Sequence, residues 1–131
     1  MRSPRPAWHH AEVRRTVVIV DDHGGFRSQA AQMLEAAGYE VVGSCADGRS
    51  GLAAVAAVCP DVVLLDVQLP DKSGFRVLAE LDSGAGGPTV VLISSREAVD
   101  YGGRIGRSGA AGFITKAELS AKTLAEVVGQ R

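Results

Sequence analysis

The sequence predicts an α/β protein, a doubly wound parallel sheet of five strands flanked by five helices. Two observations lead to this class. Short runs of β-branched and other apolar residues recur along the chain, and stretches with helical spacing of apolar residues lie between them. The runs are apolar without alternation, which is typical of strands buried on both faces of a parallel sheet. Strands that alternate with helices form βαβ units, whose right-handed crossovers place helices on both sides of the sheet.

The elements follow in order along the chain. The predicted strands are 16–20, 40–44, 61–65, 89–93 and 112–115. Apolar residues at helical spacing predict helices in 26–37, 52–59 and 75–81, and a last helix begins after Ser120, a residue that suits the N-cap position. The remaining region, 96–109, contains four glycines. Because each interior glycine costs about 1 kcal/mol relative to alanine, we expect a poorly ordered helix there.

Composition narrows the class of protein. A chain of 131 residues that is 46% hydrophobic has the size and apolar content of one globular domain. The net charge of −1 argues against direct binding of nucleic acid, and no apolar stretch is long enough to span a membrane. Two cysteines, Cys45 and Cys59, form no zinc motif and favour a reduced, cytoplasmic protein. We expect a disordered leader over 1–15 and one domain over 16–131.

Polar residues stand where four of the five predicted strands end, which is where open α/β sheets bind ligands. Adjacent carboxylates repel one another unless they share a cation, and Mg²⁺ suits such a group. One carboxylate could then act as a nucleophile, with a lysine and a hydroxyl to bind a phosphoryl group. Each residue alone is more often a helix cap, a turn or a solvated loop residue, so the argument rests on their coincidence. In chain order they are Asp21, Asp22, Asp66, Ser94, Ser95, Thr115 and Lys116.

With these residues in place, the chain resembles the receiver domain of bacterial two-component response regulators. The motifs that carry the resemblance are VVIVDDH (17–23), PDVVLLDVQLPDKSGF (60–75), VVLISS (90–95) and GAAGFITKAEL (109–119). With the intervening helices they cover residues 16 to about 129. The resemblance implies a flavodoxin-like sheet with strand order 2-1-3-4-5. The combination of DDH with SSR resembles the receivers that usually precede a helix-turn-helix output domain.

The resemblance implies a role for each matching residue. Asp66 would be the phosphoacceptor, and Mg²⁺ would be held by Asp21, Asp22, Asp66 and the backbone carbonyl of Gln68. Ser94 and Lys116 would bind the phosphoryl group, and Phe113 would be the switch aromatic. The positions that tune dephosphorylation would be Gln68, Ser95 and Arg96.

Two residues depart from the family pattern. Ala117 replaces the proline that often follows the lysine, and a cis bond to a residue other than proline costs about 2.5–4 kcal/mol. We therefore expect a trans peptide between Lys116 and Ala117. Ser95 replaces a smaller alanine or glycine, which would narrow access to Asp66.

The function implied is a phosphorylation switch. A sensor histidine kinase would phosphorylate Asp66 with Mg²⁺, Ser94 would move toward the phosphoryl group, and Phe113 would rotate into the space left behind. This would repack the face made by the fourth helix, the fifth strand and the fifth helix. Whether the protein forms a homodimer is left open, and this face is the candidate interface. The output would be a downstream protein or a detached DNA-binding domain, and the chain would be no enzyme beyond its own phosphorylation.

Three other functions were weighed. An aspartyl-phosphate hydrolase would need a second aspartate where Gln68 stands. A flavin- or dinucleotide-binding module is disfavoured because two carboxylates occupy the loop that would bind phosphates. A receiver-like binding module that works without phosphorylation remains the alternative.

Overall fold

The computed structural model describes residues 14–81 and 87–129. Its five strands form one parallel sheet with the order β2-β1-β3-β4-β5. The strands are β1 (Thr16–Val20), β2 (Glu40–Cys45), β3 (Val62–Asp66), β4 (Thr89–Ser94) and β5 (Gly112–Thr115). The predicted fold class and strand order are confirmed. The predicted leader lies outside the described residues except for Arg14 and Arg15.

Within the described part of the chain, five α-helices connect or follow the strands. They are α1 (Gly24–Ala36), α2 (Gly48–Val58), α3 (Gly74–Glu80), α4 (Arg104–Arg107) and α5 (Ala121–Val128). The predicted N-cap of the last helix is confirmed, since the Thr123 N–H donates to the Ser120 hydroxyl at 3.1 Å. Within the described ranges, no helix is long and apolar enough to cross a membrane.

The glycine-rich region, 96–109, is helical only in part. A 3₁₀ turn covers Ala98–Tyr101, and α4 spans four residues after it. Between them, Gly102 adopts φ 58° and ψ −136°, a conformation that favours glycine. Two short helical pieces therefore replace one continuous helix, and the break follows directly after Tyr101. The poor order of this region stays a prediction.

The core consists of two layers, one on each face of the sheet. Alternate residues of each central strand enter opposite layers: Val17 and Ile19 pack toward α1 and α5, whereas Val18 and Val20 pack toward α2 and α3. The strands β1, β3 and β4 are buried along nearly their whole length. Burial on both faces explains why their sequences are continuously apolar. It also leaves the carboxyl ends of the strands as the places where polar side chains gather.

The loop after β3 is tied to the start of α2 by Asp71. Its carboxylate accepts hydrogen bonds from the N–H groups of Gly48 at 2.8 Å and Arg49 at 2.9 Å. These groups would otherwise lack partners at the helix N-terminus. The bond from Gly48, together with that from Arg49, holds the pKa of Asp71 below its ordinary value.

We expect the Asp71→Asn variant to have a lower unfolding midpoint than the original protein at pH 7, with the difference shrinking below about pH 4. A carboxyl whose pKa is lower in the folded state stabilises the fold above its unfolded pKa, and this stabilisation is lost as the pH falls through the folded pKa. Thermal unfolding from pH 3 to pH 7 measures it. Glu126→Gln, on the exposed face of α5, is the control and should show no comparable trend. A midpoint difference that stays constant with pH would contradict the role given to the Asp71 charge.

Candidate functional site

Three carboxylates meet at the carboxyl ends of β1 and β3, which are neighbours in the sheet. Asp21 follows β1 and is fully buried, Asp66 is the last residue of β3 and is 2% exposed, and Asp22 is exposed. Side-chain atoms of Asp21, Asp22, His23 and Asp66 that could bind a metal all lie within 4.8 Å of one another. The structure therefore brings together the acidic residues that the sequence places at two separate strand ends.

Lys116 brings a positive charge to this cluster from the turn that follows β5. Its Nζ lies 2.6 Å from Oδ2 of Asp21 and 3.1 Å from Oδ2 of Asp66. Burial alone would lower the pKa of Lys116, but its bonds to the two carboxylates raise that pKa above the ordinary value. The lysine is therefore a fixed cation at neutral pH.

Opposing effects act on the pKa of Asp66. Burial raises its pKa, whereas the Gln68 N–H, which donates to Oδ1 at 3.0 Å, and the Lys116 ammonium lower it. Burial outweighs the other effects, and the pKa of Asp66 lies above that of an ordinary aspartate. A further positive charge close to the buried Asp66 carboxylate would stabilise its ionised form.

The cluster suits a hard divalent cation. Among the described residues, the buried Oδ2 atom of Asp21 has no hydrogen-bond partner with suitable geometry. The Lys116 ammonium lies 2.6 Å from it. Three carboxylates and one ammonium leave a formal charge of −2 when His23 is neutral, since three negative charges meet one positive charge. Carboxylate oxygens are the ligands that Mg²⁺ prefers. The residues present therefore fit the ion that the sequence predicts.

His23 belongs to the same cluster, although it was not among the predicted site residues. It occupies the N-cap position of α1, but its side chain makes no hydrogen bond to the helix. Its Nδ1 lies instead 3.2 Å from Oδ1 of Asp22 and 3.5 Å from Nζ of Lys116. Its place directly after the two aspartates was the available signal.

Ser94 ends β4 with its side chain fully buried. Its Oγ accepts a hydrogen bond from the Arg96 N–H at 3.0 Å and lies 2.6 Å from Oη of Tyr101. Tyr101 was not among the predicted site residues. The predicted switch serine therefore makes a short contact with a tyrosine of the 3₁₀ turn.

Tyr101 is part of a row of three aromatic rings. Its ring centroid lies 5.7 Å from that of Phe75 and 5.9 Å from that of Phe113, with the rings inclined in both pairs. The Arg104 guanidinium lies 4.4 Å from the centroid of Phe75. The predicted switch aromatic, Phe113, thus touches the tyrosine that contacts Ser94.

Three predicted residues follow the ends of β3 and β4 and have exposed side chains: Gln68, Ser95 and Arg96. Gln68 also pairs with Ser73 across the loop after β3. The trans peptide expected between Lys116 and Ala117 is confirmed, since the described residues contain no cis bond.

A family model described as "Response regulator receiver domain" matches residues 17–128. The chain belongs to this family. It is 34% identical over 108 residues to the transcriptional regulatory protein PdtaR of Mycobacterium tuberculosis, covering 81% of this chain and 51% of the relative. It is 33% identical over 102 residues to the putative positive transcription regulator BvgA of Bordetella pertussis, covering 78% and 49%. This receiver chain spans about half the length of these relatives.

Solved structures agree with the family. The receiver domain of the putative response regulator NarL from Mycobacterium tuberculosis matches with a TM-score of 0.80 and 32% identity, over 90% of this chain and 98% of that one. A CheY-like receiver domain protein from Methanospirillum hungatei matches with a TM-score of 0.77 and 25% identity, over 89% and 92%. The protein is therefore a receiver domain of the response regulators of two-component systems.

Proposed function

We propose that this receiver domain is a switch that a sensor histidine kinase phosphorylates on Asp66 in a Mg²⁺-dependent reaction. The observation that carries the proposal is the position of Asp66. Its buried carboxylate lies 3.1 Å from a lysine and within one acidic cluster with Asp21 and Asp22. A carboxylate is a weak nucleophile, and a site that neutralises incoming phosphoryl oxygens lets it react.

The reaction moves the phosphoryl group from nitrogen to oxygen. One oxygen of the Asp66 carboxylate attacks the phosphorus of a phosphohistidine whose second ring nitrogen is protonated, the new O–P bond forms, and the P–N bond breaks to release neutral imidazole. Asp21, Asp22, Asp66 and the carbonyl of Gln68 would hold Mg²⁺, which supplies charge neutralisation for the transferred group. Lys116 is in reach of Asp66 and would exchange part of its ion pair for a phosphoryl oxygen.

The switch would then pass through Ser94 and Phe113. The Ser94 hydroxyl would move to donate a hydrogen bond to a phosphoryl oxygen, and Phe113 would fill the space it leaves. Phe113 is half-buried against Tyr101, so its rotation would disturb the 3₁₀ turn and α4. A segment built of two short helical pieces around Gly102 has few internal bonds to lose, which suits an element that moves.

The output of the switch is part of the same proposal. Because its relatives include proteins named as transcription regulators, we propose that this chain acts through a DNA-binding domain or a protein partner. The repacked face of α4, β5 and α5 would be the surface that a partner or a second copy recognises. Nothing here requires catalysis on any substrate other than its own Asp66, and the cytoplasmic location stays a prediction.

We expect acetyl phosphate with Mg²⁺ to add one phosphoryl group to the protein, as measured by intact-mass spectrometry and by mobility on a phosphate-binding gel. The Asp66→Asn variant should remain unmodified, because it lacks the carboxylate nucleophile. Asp71→Asn is the matched control, since Asp71 caps α2 outside the acidic cluster and its variant should still react.

An unmodified original protein, or equal modification of the Asp66→Asn variant, would contradict the proposal. A folded protein that neither reacts nor binds beryllofluoride would support the alternative of a phosphorylation-independent binding module.

A further inference from the structure

We propose that the Tyr101 hydroxyl is a positioning group that holds Ser94 in the unphosphorylated arrangement and competes with the phosphoryl group for it. The inference rests on the function proposed above and names a residue in this chain that opposes switching. It is carried by the contact of 2.6 Å between Oγ of Ser94 and Oη of Tyr101.

The hydroxyl of Ser94 has a limited capacity for hydrogen bonds. It can donate one and accept two, and the Arg96 N–H already occupies one acceptor position at 3.0 Å. If Ser94 donates to Tyr101, its single proton is not free for a phosphoryl oxygen. If Tyr101 donates to Ser94, two donors hold Oγ in place. In the first case the proton becomes free only when the contact with Tyr101 breaks, and in the second a movement of Oγ toward Asp66 would have to break that contact.

Tyr101 is not free to follow the serine. Its ring packs between Phe75 and Phe113, at centroid distances of 5.7 and 5.9 Å. Phe75 is itself in contact with the Arg104 guanidinium of α4, at 4.4 Å from the ring centroid. The ring packing therefore opposes any movement of Oη with Oγ, and phosphorylation has to separate the two hydroxyl groups.

The backbone around Tyr101 links this bond to the face that switches. Tyr101 ends the 3₁₀ turn, and Gly102 adopts φ 58° before α4 begins. A Tyr101 side chain released from Ser94 would lose the polar contact that fixes the end of this turn. In this chain the predicted switch aromatic on β5 is Phe113, which has no hydroxyl. The aromatic hydroxyl that contacts Ser94 is therefore supplied by Tyr101 of the 3₁₀ turn.

The Tyr101→Phe variant tests the inference, since it keeps the ring and removes the hydroxyl. We expect it to bind beryllofluoride, with Mg²⁺ present, roughly 2- to 10-fold more tightly than the original protein, which is the usual contribution of one such hydrogen bond to an equilibrium. A variant that is merely destabilised would bind more weakly, so the direction separates the two explanations. Unchanged or weaker binding would overturn the inference.

Two further variants sharpen the result. In an Ser94→Ala background, Tyr101→Phe should change the affinity by less than about 2-fold, because the bond is already absent. Tyr39→Phe is the matched control, since Tyr39 is half-buried on the opposite face of the sheet, against the core layer of α1 and α5. Its affinity should equal that of the original protein. An equal gain in affinity for Tyr39→Phe, or an undiminished gain in the Ser94→Ala background, would contradict the role of the bond.

The outcomes also separate this inference from the proposed function. If the original protein binds beryllofluoride and Tyr101→Phe binds it equally well, the inference alone fails. If the original protein does not bind beryllofluoride at all, the phosphorylation switch fails and the inference fails with it.

Discussion

Replacing Lys116 by methionine is expected to lower the free energy of unfolding of the metal-free protein by about 3 kcal/mol, the low end of the range for breaking a buried ion pair. The lysine contacts Asp21 at 2.6 Å and Asp66 at 3.1 Å, and both carboxylates are buried. Methionine retains an unbranched apolar stem but leaves these charges without their ammonium. The low end applies because Asp22 keeps one side of the cluster in contact with solvent.

Magnesium should reverse much of this loss. A divalent cation that binds only the folded protein stabilises it by an amount that grows with the logarithm of its affinity, and removing Lys116 makes the cluster more negative. We expect 10 mM MgCl₂ to raise the unfolding midpoint of the Lys116→Met variant by more than it raises that of the original protein. Urea denaturation with and without Mg²⁺ measures both quantities.

The control for this experiment is Lys122→Met. Lys122 is exposed on α5, and its ion pair with Glu126 is 3.9 Å long. Exposed pairs of this kind contribute little, so the change should stay within about 0.5 kcal/mol and should not depend on Mg²⁺. A Lys116→Met variant as stable as the original protein, or one with no added response to Mg²⁺, would contradict the role given to the lysine.

The fold and the centre of the site could be predicted because both depend on regular elements. Continuous apolar runs locate strands, and a parallel sheet places the residues after each run along one edge. This is why Asp21, Asp66 and Lys116 could be assigned to one crevice, although the last two are 50 positions apart in the chain. Asp66 and Ser94 proved to be the last residues of their strands rather than the first residues after them.

The start of α2 was predicted four residues too late for a physical reason. Its first turn is polar and small, so apolar spacing becomes visible only at Leu52. The helix begins at Gly48 because the Asp47 side chain accepts a hydrogen bond from the Ser50 N–H at 2.8 Å. A side chain at Gly51 would lie 2.8 Å from the Val20 side chain, so the small residues are where α2 approaches β1.

Tyr101 could not be predicted as a site residue. Its contact with Ser94 depends on the path of an irregular segment, in which a 3₁₀ turn and Gly102 determine where the ring lies. In such a segment, the spacing of residues along the sequence does not predict which side chains lie close together. His23 differs, because it adjoins the two aspartates, yet the same position suits a helix cap and the sequence cannot separate the two roles.

Replacing Gly74 by alanine is expected to destabilise the protein by about 2–3 kcal/mol and to weaken Mg²⁺ binding. Gly74 begins α3 close to the end of β3. A Cβ atom there would overlap the backbone carbonyl oxygen of Asp66 and lie 2.9 Å from Cα of Val67. Both neighbours are backbone atoms, so no side-chain rotation relieves the overlap, and the cost falls in the upper part of the range for overpacked sites.

The same overlap connects stability to function at this position. The Gly74 N–H donates to the Val67 carbonyl at 2.7 Å, so α3 and the end of β3 are held in direct backbone contact. Forcing them apart displaces Asp66, and Gln68 moves with it because its N–H is bonded to the Asp66 carboxylate.

Urea denaturation and Mg²⁺ titration test the two effects. Gly106→Ala is the matched control, since a Cβ there meets no atom within 4 Å and alanine favours helix by up to about 1 kcal/mol. A Gly74→Ala variant that matches this control in both measurements would show that the close approach of α3 does not position Asp66.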